Sequence, residues 1–368
     1  MVSTIHINRE RYNLEITLES IIKTRGSIYQ FLLFAEIDDI VVEIEKLYTR
    51  KPQYHAKGMF MLAVAYHFYG KSYDKLLADI SVFDIEILKF EKRELPSRGA
   101  LNDFIIHRVG EEILEILMKK FAWKLYCLGK LNKSKVIGNE DSTPVEASRY
   151  DRYADYNPHY KCKMYKSHII MLETIPLYMS FTDGLSGDNP ESLQNMPVLK
   201  ELGITFHVMN KDGGYDSYEN YATTYILLGA KPNIKPSENA KINDEGSIER
   251  INHFLNKKKY REQGISIRDN IRLKLSFLYS QEERRKEQVG AYLRNQVLEL
   301  GLDEEAYSLR KHQERIHDHM KSTVKFDVRR VHNKQKKHHI KWSFISYQLL
   351  CLTALQNRLN PNEFGFIL

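Results

Sequence analysis

Asp141, Asp212 and Glu314 are the residues of this chain best placed for chemistry on an anionic substrate. Asp141 closes the run KVIGNED and is followed by Ser-Thr-Pro, so a strand is expected to stop there. Asp212 follows the apolar-rich ITFHVMNK and precedes Gly213 and Gly214. Reactive groups gather at the ends of sheet strands in α/β folds, and small neighbours let a carboxylate approach a ligand closely. Aspartate is also a favoured turn former, which explains either residue taken alone equally well. Glu314 lies in YSLRKHQERIHDHMK, among Arg310, Lys311, His312, Arg315 and His317. On a helical wheel Tyr307, Arg310, Glu314 and Lys321 fall within about 60° of one another, and Lys325 extends the stripe. Such a face is too polar for a core. It is either solvated surface, with Arg310 and Glu314 a simple i,i+4 pair, or a face offering cations to phosphate oxygens and a carboxylate to a metal.

Elements far apart in sequence must bring these groups together. Residues 1–128 read as mostly helical, with apolar spacings of three and four in IIKTRGSIYQFLLFAEIDDIVVEIEKLY. A second helical pair, KGMFMLAVAYHFYGKSYDKLLADI, breaks at Gly70, and a third region starts at Pro96 and Ser97. Packed helices with basic and aromatic faces suit DNA binding; a helical bundle without a ligand fits the pattern equally. Near residue 134 the pattern becomes β-rich. Strands are expected in KVIGNEDS, over 163–173 and over 176–184, then a helix over 190–203, a strand over 204–215, a helix from Tyr218 to Gly229 and an extended segment over 230–236. Asp188 reads as the N-cap of the first of those helices. This order implies a mixed α+β fold, a mixed sheet with helices packed on it. SENAKINDEGS reads as a polar linker and residues 247–300 as charged helices. A new helix capped by Asp303 carries Glu314. A basic loop, NKQKKHHIK, and an amphipathic helix over 342–358 follow. The expected organisation is a helical unit over 1–128, sheet-forming residues 129–240, a mostly helical insertion over 241–300, and a return to the sheet over 301–368.

A length of 368 residues allows two or three domains. Hydrophobic content is 42%, with 23 tyrosines and 16 phenylalanines, ample for an aromatic-rich core. The net charge of +7 and the pI near 8.9 permit a polyanionic partner without demanding one. The charge is concentrated late, where Arg329, Arg330, Lys334, Lys336 and Lys337 could follow a phosphate backbone or simply be solvated. Cys127, Cys162 and Cys351 are scattered, which excludes a disulfide framework and paired-cysteine zinc sites and fits a reducing, cytoplasmic setting. His312, His317, His319, His332, His338 and His339 lack the usual zinc spacing. The first residues do not read as a signal peptide. The longest apolar-rich run, Phe344 to Leu355, is too short and polar to span a bilayer, so a soluble chain is expected.

The spacing of Tyr307, Arg310, Glu314 and Lys321 resembles the YREK signature of bacterial and archaeal insertion-sequence DDE transposases. EDSTPVEA, 140–147, resembles that family's first-aspartate motif and NKDGGYDS, 210–217, its second. A looser likeness in YKSHIIMLETIPLYMSFTDGLSGDNPESL and LPSRGALNDF carries the resemblance over most of the chain. Gly213 stands where many relatives have lysine. The resemblance implies an RNase H-like core with a helical N-terminal DNA-binding domain and a helical insertion before the catalytic glutamate. It implies that Asp141, Asp212 and Glu314 are catalytic and hold two Mg²⁺ (or Mn²⁺) ions. Tyr307, Arg310 and Lys321 would position phosphates, with Lys325, Arg329 and Arg330 continuing the DNA contact. The implied partner is double-stranded DNA, both transposon inverted repeats and target, bound by a homodimer that synapses two ends, with no membrane. The implied activity is cutting and joining those ends. Three carboxylates packed together repel, so without metal at least one should have a raised pKa. The same acids would serve a metal-dependent nuclease without strand transfer. A catalytically silent DNA-binding protein is the remaining alternative, and the intact acids weigh against it.

Overall fold

A computed structural model describes residues 4–9, 12–90, 94–131, 133–257, 270–329 and 335–367. The chain opens with an antiparallel hairpin, β1 (Thr4–Arg9) and β2 (Tyr12–Thr17), rather than with helix. Its apolar residues alternate, Ile5 with Ile7 and Leu14 with Ile16, which is the period of a strand. Helices follow as expected. The longest before residue 130 are α1 (Ala56–Tyr69), ended by Gly70 at φ 61°, and α2 (Glu111–Gly129). Ser97 caps the helix at Arg98–Asp103 through the Ala100 N–H. One π-helical turn, Phe104–Arg108, then frees backbone for other uses.

The sheet comprises β3 (Ile137–Glu146), β4 (Asp155–Asn157), β5 (Cys162–Leu172), β6 (Ile175–Asp183), β7 (Val208–Lys211) and β8 (Lys231–Ile234). Its order is β4-β5-β3-β7-β8, with β6 also paired to β5. β3 lies antiparallel to β5 and parallel to β7, and β7 is parallel to β8, so the sheet is mixed. The helices α3 (Asp188–Glu201) and α4 (Tyr218–Leu228) make the crossovers that parallel strands require. β3 runs on past Asp141 through Pro144, where a stop was expected. The reason is the pairing. β7 accompanies β3 only through Asn139, so beyond it that edge of β3 is free, and a proline there breaks no ladder.

Between β8 and the return to the sheet stand α5 (Ile248–Leu255), α6 (Ile271–Tyr279) and α7 (Glu283–Leu300). They pack with α4 around Tyr221, Ile251, Phe254, Leu278 and Val289. Gly290 permits the closest approach, since a Cβ there would collide with the Tyr218 carbonyl. Arg294 grips both carboxylate oxygens of Asp216, at 2.6 and 2.7 Å, and ties the insertion to the turn after β7.

The chain closes with α8 (Glu304–Ser308), α9 (Lys311–Thr323) and α10 (Lys336–Gln356). α10 starts earlier than expected and is not amphipathic: every residue from His338 to Ala354 is buried. It runs through the apolar core shared by α1, α2 and the sheet. Many of its polar groups are matched across the core. Lys341 pairs with Glu115 at 2.8 Å, Gln348 donates to the Leu177 carbonyl, and the π-turn carbonyl of Ile105 accepts from both His338 and Trp342. Among the described residues no helix is long and apolar enough to cross a membrane.

Candidate active site

Two polar layers sit where β3, β7 and β8 lie side by side. On one face three buried asparagines form a ladder. Asn210 donates to Asn139 at 2.8 Å, and Asn233 donates to Asn210 at 2.7 Å. The ladder also holds the incoming helix: Asn210 donates to the Ala306 carbonyl, and Asn233 both donates to the Asp303 carbonyl and accepts from the Asp303 N–H. Asp303 caps α8 through the Ala306 N–H, as its sequence context implied. On the opposite face Lys211 and Glu140 form a wholly buried ion pair at 2.7 Å. Lys211 further donates to Ser192 and Asn220, which joins the strands to α3 and α4. Burial pulls Lys211 below the ordinary lysine value even with Glu140 alongside.

Asp141 and Asp212 are the next residues after that ion pair, on the asparagine face. They come level where β3 and β7 part, and both line a cleft of about 580 Å³. Arg310 lies between them, 3.2 Å from Asp141 and 3.3 Å from Asp212. Asp212 also accepts from the Gly214 N–H, so the turn-forming role expected of an aspartate and the cleft-facing role coincide. A Cβ at Gly214 would lie 3.1 Å from Asp212 Oδ1 and 3.4 Å from Asp188 Oδ2, so a larger residue there would crowd both carboxylates.

Glu314 lines the same cleft from α9, one turn beyond Arg310, with its side chain exposed. The helix that was expected to run unbroken through Tyr307 and Glu314 tightens at Leu309 and Arg310 into i→i+3 bonds, which divides α8 from α9. Three carboxylates in mutual contact were expected. Instead Arg310 separates Asp141 from Asp212, and among the described residues no three acids or histidines converge as an ion-holding group in this conformation. Asp141 does have a raised pKa, up to about 6. Burial is the main cause, opposed by Arg310, with Asp212 adding repulsion only after that.

The other expected residues divide. Tyr307 packs against Arg310 beside the acids. Lys321 lines the cleft and donates to Thr143, two residues beyond Asp141 on β3. Lys325 does not continue the stripe, because α9 ends at Thr323 and Val324 is extended. Its ammonium instead meets Tyr66 on α1. Arg329 is exposed and paired with Asp327. Arg330, Lys334 and His332 lie outside the described residues. Lys336 is buried in an ion pair with Asp151, so it does not track DNA from the surface; Lys337 is exposed, 3.9 Å from Glu111. His338 and His339 are spent on the carbonyls of Ile105 and Lys325, and His319 on Tyr347.

Asp188 was read as a helix cap, and it caps nothing. Gly187 holds the N-cap position without a side-chain bond, and Asp188 turns into the cleft. There it accepts from Lys166 at 3.1 Å and lies 3.4 Å from His168 Nδ1. Its sequence context, SGDNP, satisfies capping rules, so local pattern alone could not reveal this. His317 was also missed as a cleft residue. It is buried at the cleft, and burial lowers its pKa to about 3, so it is neutral.

A stability test follows from Asp141. Its raised pKa means the folded state favours the protonated acid. That contribution is complete below the ordinary value of 3.8 and is lost as pH rises through about 6. Without divalent ions, Asp141→Asn should therefore raise stability at neutral pH by about 2–3 kcal/mol. It should also flatten the dependence of Tm on pH between about 4 and about 6. Thermal unfolding in chelator across that range checks both.

A mixed sheet flanked by helices, with acids where its central parallel strands part, is consistent with an RNase H-like domain. Residues 134–349 match the family model described as the transposase DDE domain, which spans more than half of the chain, and the chain belongs to that family. Its function is accordingly of the transposase type, and DNA is its partner. No curated protein matches the chain, and no solved structure does.

Proposed function

We propose that the chain cuts and joins the ends of a mobile DNA element by phosphodiester hydrolysis followed by transesterification. Asp141, Asp212 and Glu314 are the catalytic residues in this reading. The observation that carries it is that all three, from β3, the turn after β7, and α9, open on one cleft. All three offer carboxylate oxygen, the donor that Mg²⁺ and Mn²⁺ prefer, and the pair Asp141 and Asp212 already accommodates a cation, the Arg310 guanidinium, between them. These acids would hold two such ions. The chemistry the ions supply when bound is activation of water or a 3′-hydroxyl and stabilisation of the leaving oxygen.

The chain's own residues supply the rest. Arg310 and Lys321 bring cations into the cleft, where phosphates of the end DNA would lie. Tyr307 backs Arg310. His317, neutral and buried, adds no competing charge. The helices of residues 1–128 are proposed to bind the terminal repeats, and synapsis of two ends calls for a homodimer.

The test is a plasmid integration assay with pre-cleaved ends, once inverted repeats flanking the gene are identified. Joined products with Mg²⁺ support transposition. Cleavage without joining would instead favour a nuclease. DNA affinity should fall steeply with salt, and Lys321→Ala or Arg329→Ala should each reduce the log–log slope by about one. Lys336→Ala should leave the slope unchanged and lower Tm, because it removes the partner of buried Asp151. Titrations at several salt concentrations decide this.

A further inference from the structure

The segment between β3 and β5 reads RYDRYADYNPHYK, residues 149–161. Among the described residues five aromatic side chains are prominently exposed. Trp123 is one, and the other four are Tyr150, Tyr153, Tyr156 and Tyr160, at 74%, 69%, 56% and 45%. Four of five in one short segment is not the scatter of single apolar residues that any surface shows.

The segment is held in place. Asp151 is buried and accepts from the N–H groups of Tyr153, at 2.9 Å, and Ala154, while Lys336 pairs with its carboxylate. Asn157 accepts from the N–H groups of His159 and Tyr160 and donates to the Gly184 carbonyl at 3.0 Å. Two polar pegs thus point inward, and the tyrosines between and beside them are turned outward. The exposed charged residues among them are Arg149, Arg152 and Lys161, all cationic, and Arg149 stacks on the Tyr150 ring at 4.6 Å. The segment ends at the cleft. His159 and Tyr160, edge to face at 4.8 Å, line its mouth, and after burial the carboxylates of Asp141, Asp188 and Asp212 are what raise the Tyr160 phenol.

Exposed aromatic rings interleaved with cations at the edge of a phosphodiester-cutting cleft match one ligand chemistry, the unpaired nucleobases of single-stranded DNA. Rings stack on base faces, and cations meet the backbone between them. We propose that residues 149–161 form a stacking platform that holds bases unpaired next to the cleavage point. A fully paired duplex buries its base faces and offers the platform only phosphates. The proposal rests on the reading that the chain acts on DNA. It adds a second mode of binding, for single strands, beside the catalytic cleft.

The test uses oligothymidylate and a blunt duplex of unrelated sequence, both in chelator so that no cleavage intervenes. Tyr153→Ala combined with Tyr160→Ala should weaken oligothymidylate binding by about ten-fold for each stacked base lost, with duplex binding unchanged. The corresponding Phe variants should bind like the parent, because the ring and not the hydroxyl is what stacks. A fluorescent adenine analogue within the strand should be quenched by the parent and the Phe variants only. Equal loss for single strand and duplex, or no loss for either, would overturn the platform. Neither result bears on cleavage by Asp141, Asp212 and Glu314, which is measured separately with Mg²⁺.

Discussion

Asp141→Ala, Asp212→Ala and Glu314→Ala should each lower Mg²⁺-dependent DNA cleavage by about a thousand-fold or more, with end binding changed only a few-fold. The separation of effects comes from geometry. Asp141 and Asp212 sit at the parting of β3 and β7 and engage Arg310, and none of the three acids supports the fold the way Glu140 does. If the acids act as a unit, as proposed, double variants should be little worse than single ones. Removing a negative charge from a cleft proposed to face phosphates should favour binding. Single-turnover cleavage of end DNA together with anisotropy titrations measures both quantities. Normal Mg²⁺-dependent cleavage by any one of the variants would remove that residue from the site.

Lys211→Met should destabilise the chain by about 3–5 kcal/mol. It strands Glu140, whose side chain is wholly buried, and it orphans hydrogen bonds to Ser192 and Asn220. Replacing both partners, Glu140→Leu with Lys211→Met, should recover most of the loss, since an apolar pair leaves no charge uncompensated. The two variants also test whether the ion pair does more than stabilise. Glu140 and Lys211 immediately precede Asp141 and Asp212, so they fix the height of both acids on the sheet. If the double variant regains Tm while its cleavage stays slow, the pair serves registry. If it regains both, the ion pair is only one of several ways to fill that space. Thermal unfolding followed by cleavage at a temperature well below Tm separates these outcomes.

Much of the sheet was legible from sequence because β5, β6 and β8 carry their own strand composition and turns. Asp303 was legible as a cap for a similar reason: capping is decided within four residues. What could not be read depended on neighbours distant in sequence. β3 passes Asp141 because β7 leaves it at Asn139, a fact about pairing that no local window contains. Asp188 obeys capping rules yet turns to Lys166 and the cleft, drawn by a cation on another strand. Lys336 looked like one more basic residue in a run, but its pairing with Asp151 lies across the core. The wheel that aligned Tyr307, Arg310, Glu314 and Lys321 grouped three residues that line the cleft, Arg310, Glu314 and Lys321, although the helix tightens between Tyr307 and Glu314. It failed at Lys325, two residues past the helix end.

Asn233 has a bearing on how this chain could be remodelled. It holds Asp303 by both N–H and carbonyl, so the point where the polypeptide leaves the sheet and the point where it returns are fastened to each other directly. The chain thus leaves the sheet after residue 234 and rejoins it at residue 303 at points fastened to each other, while the described helices between them share a core with α4. Once ends are fixed, doubling the length of the intervening chain adds only about 0.6 kcal/mol of closure entropy. Length changes in the loops of this stretch would therefore leave the helix that carries Glu314 in place, whereas exchanging its helices would also uncover Tyr221 on α4.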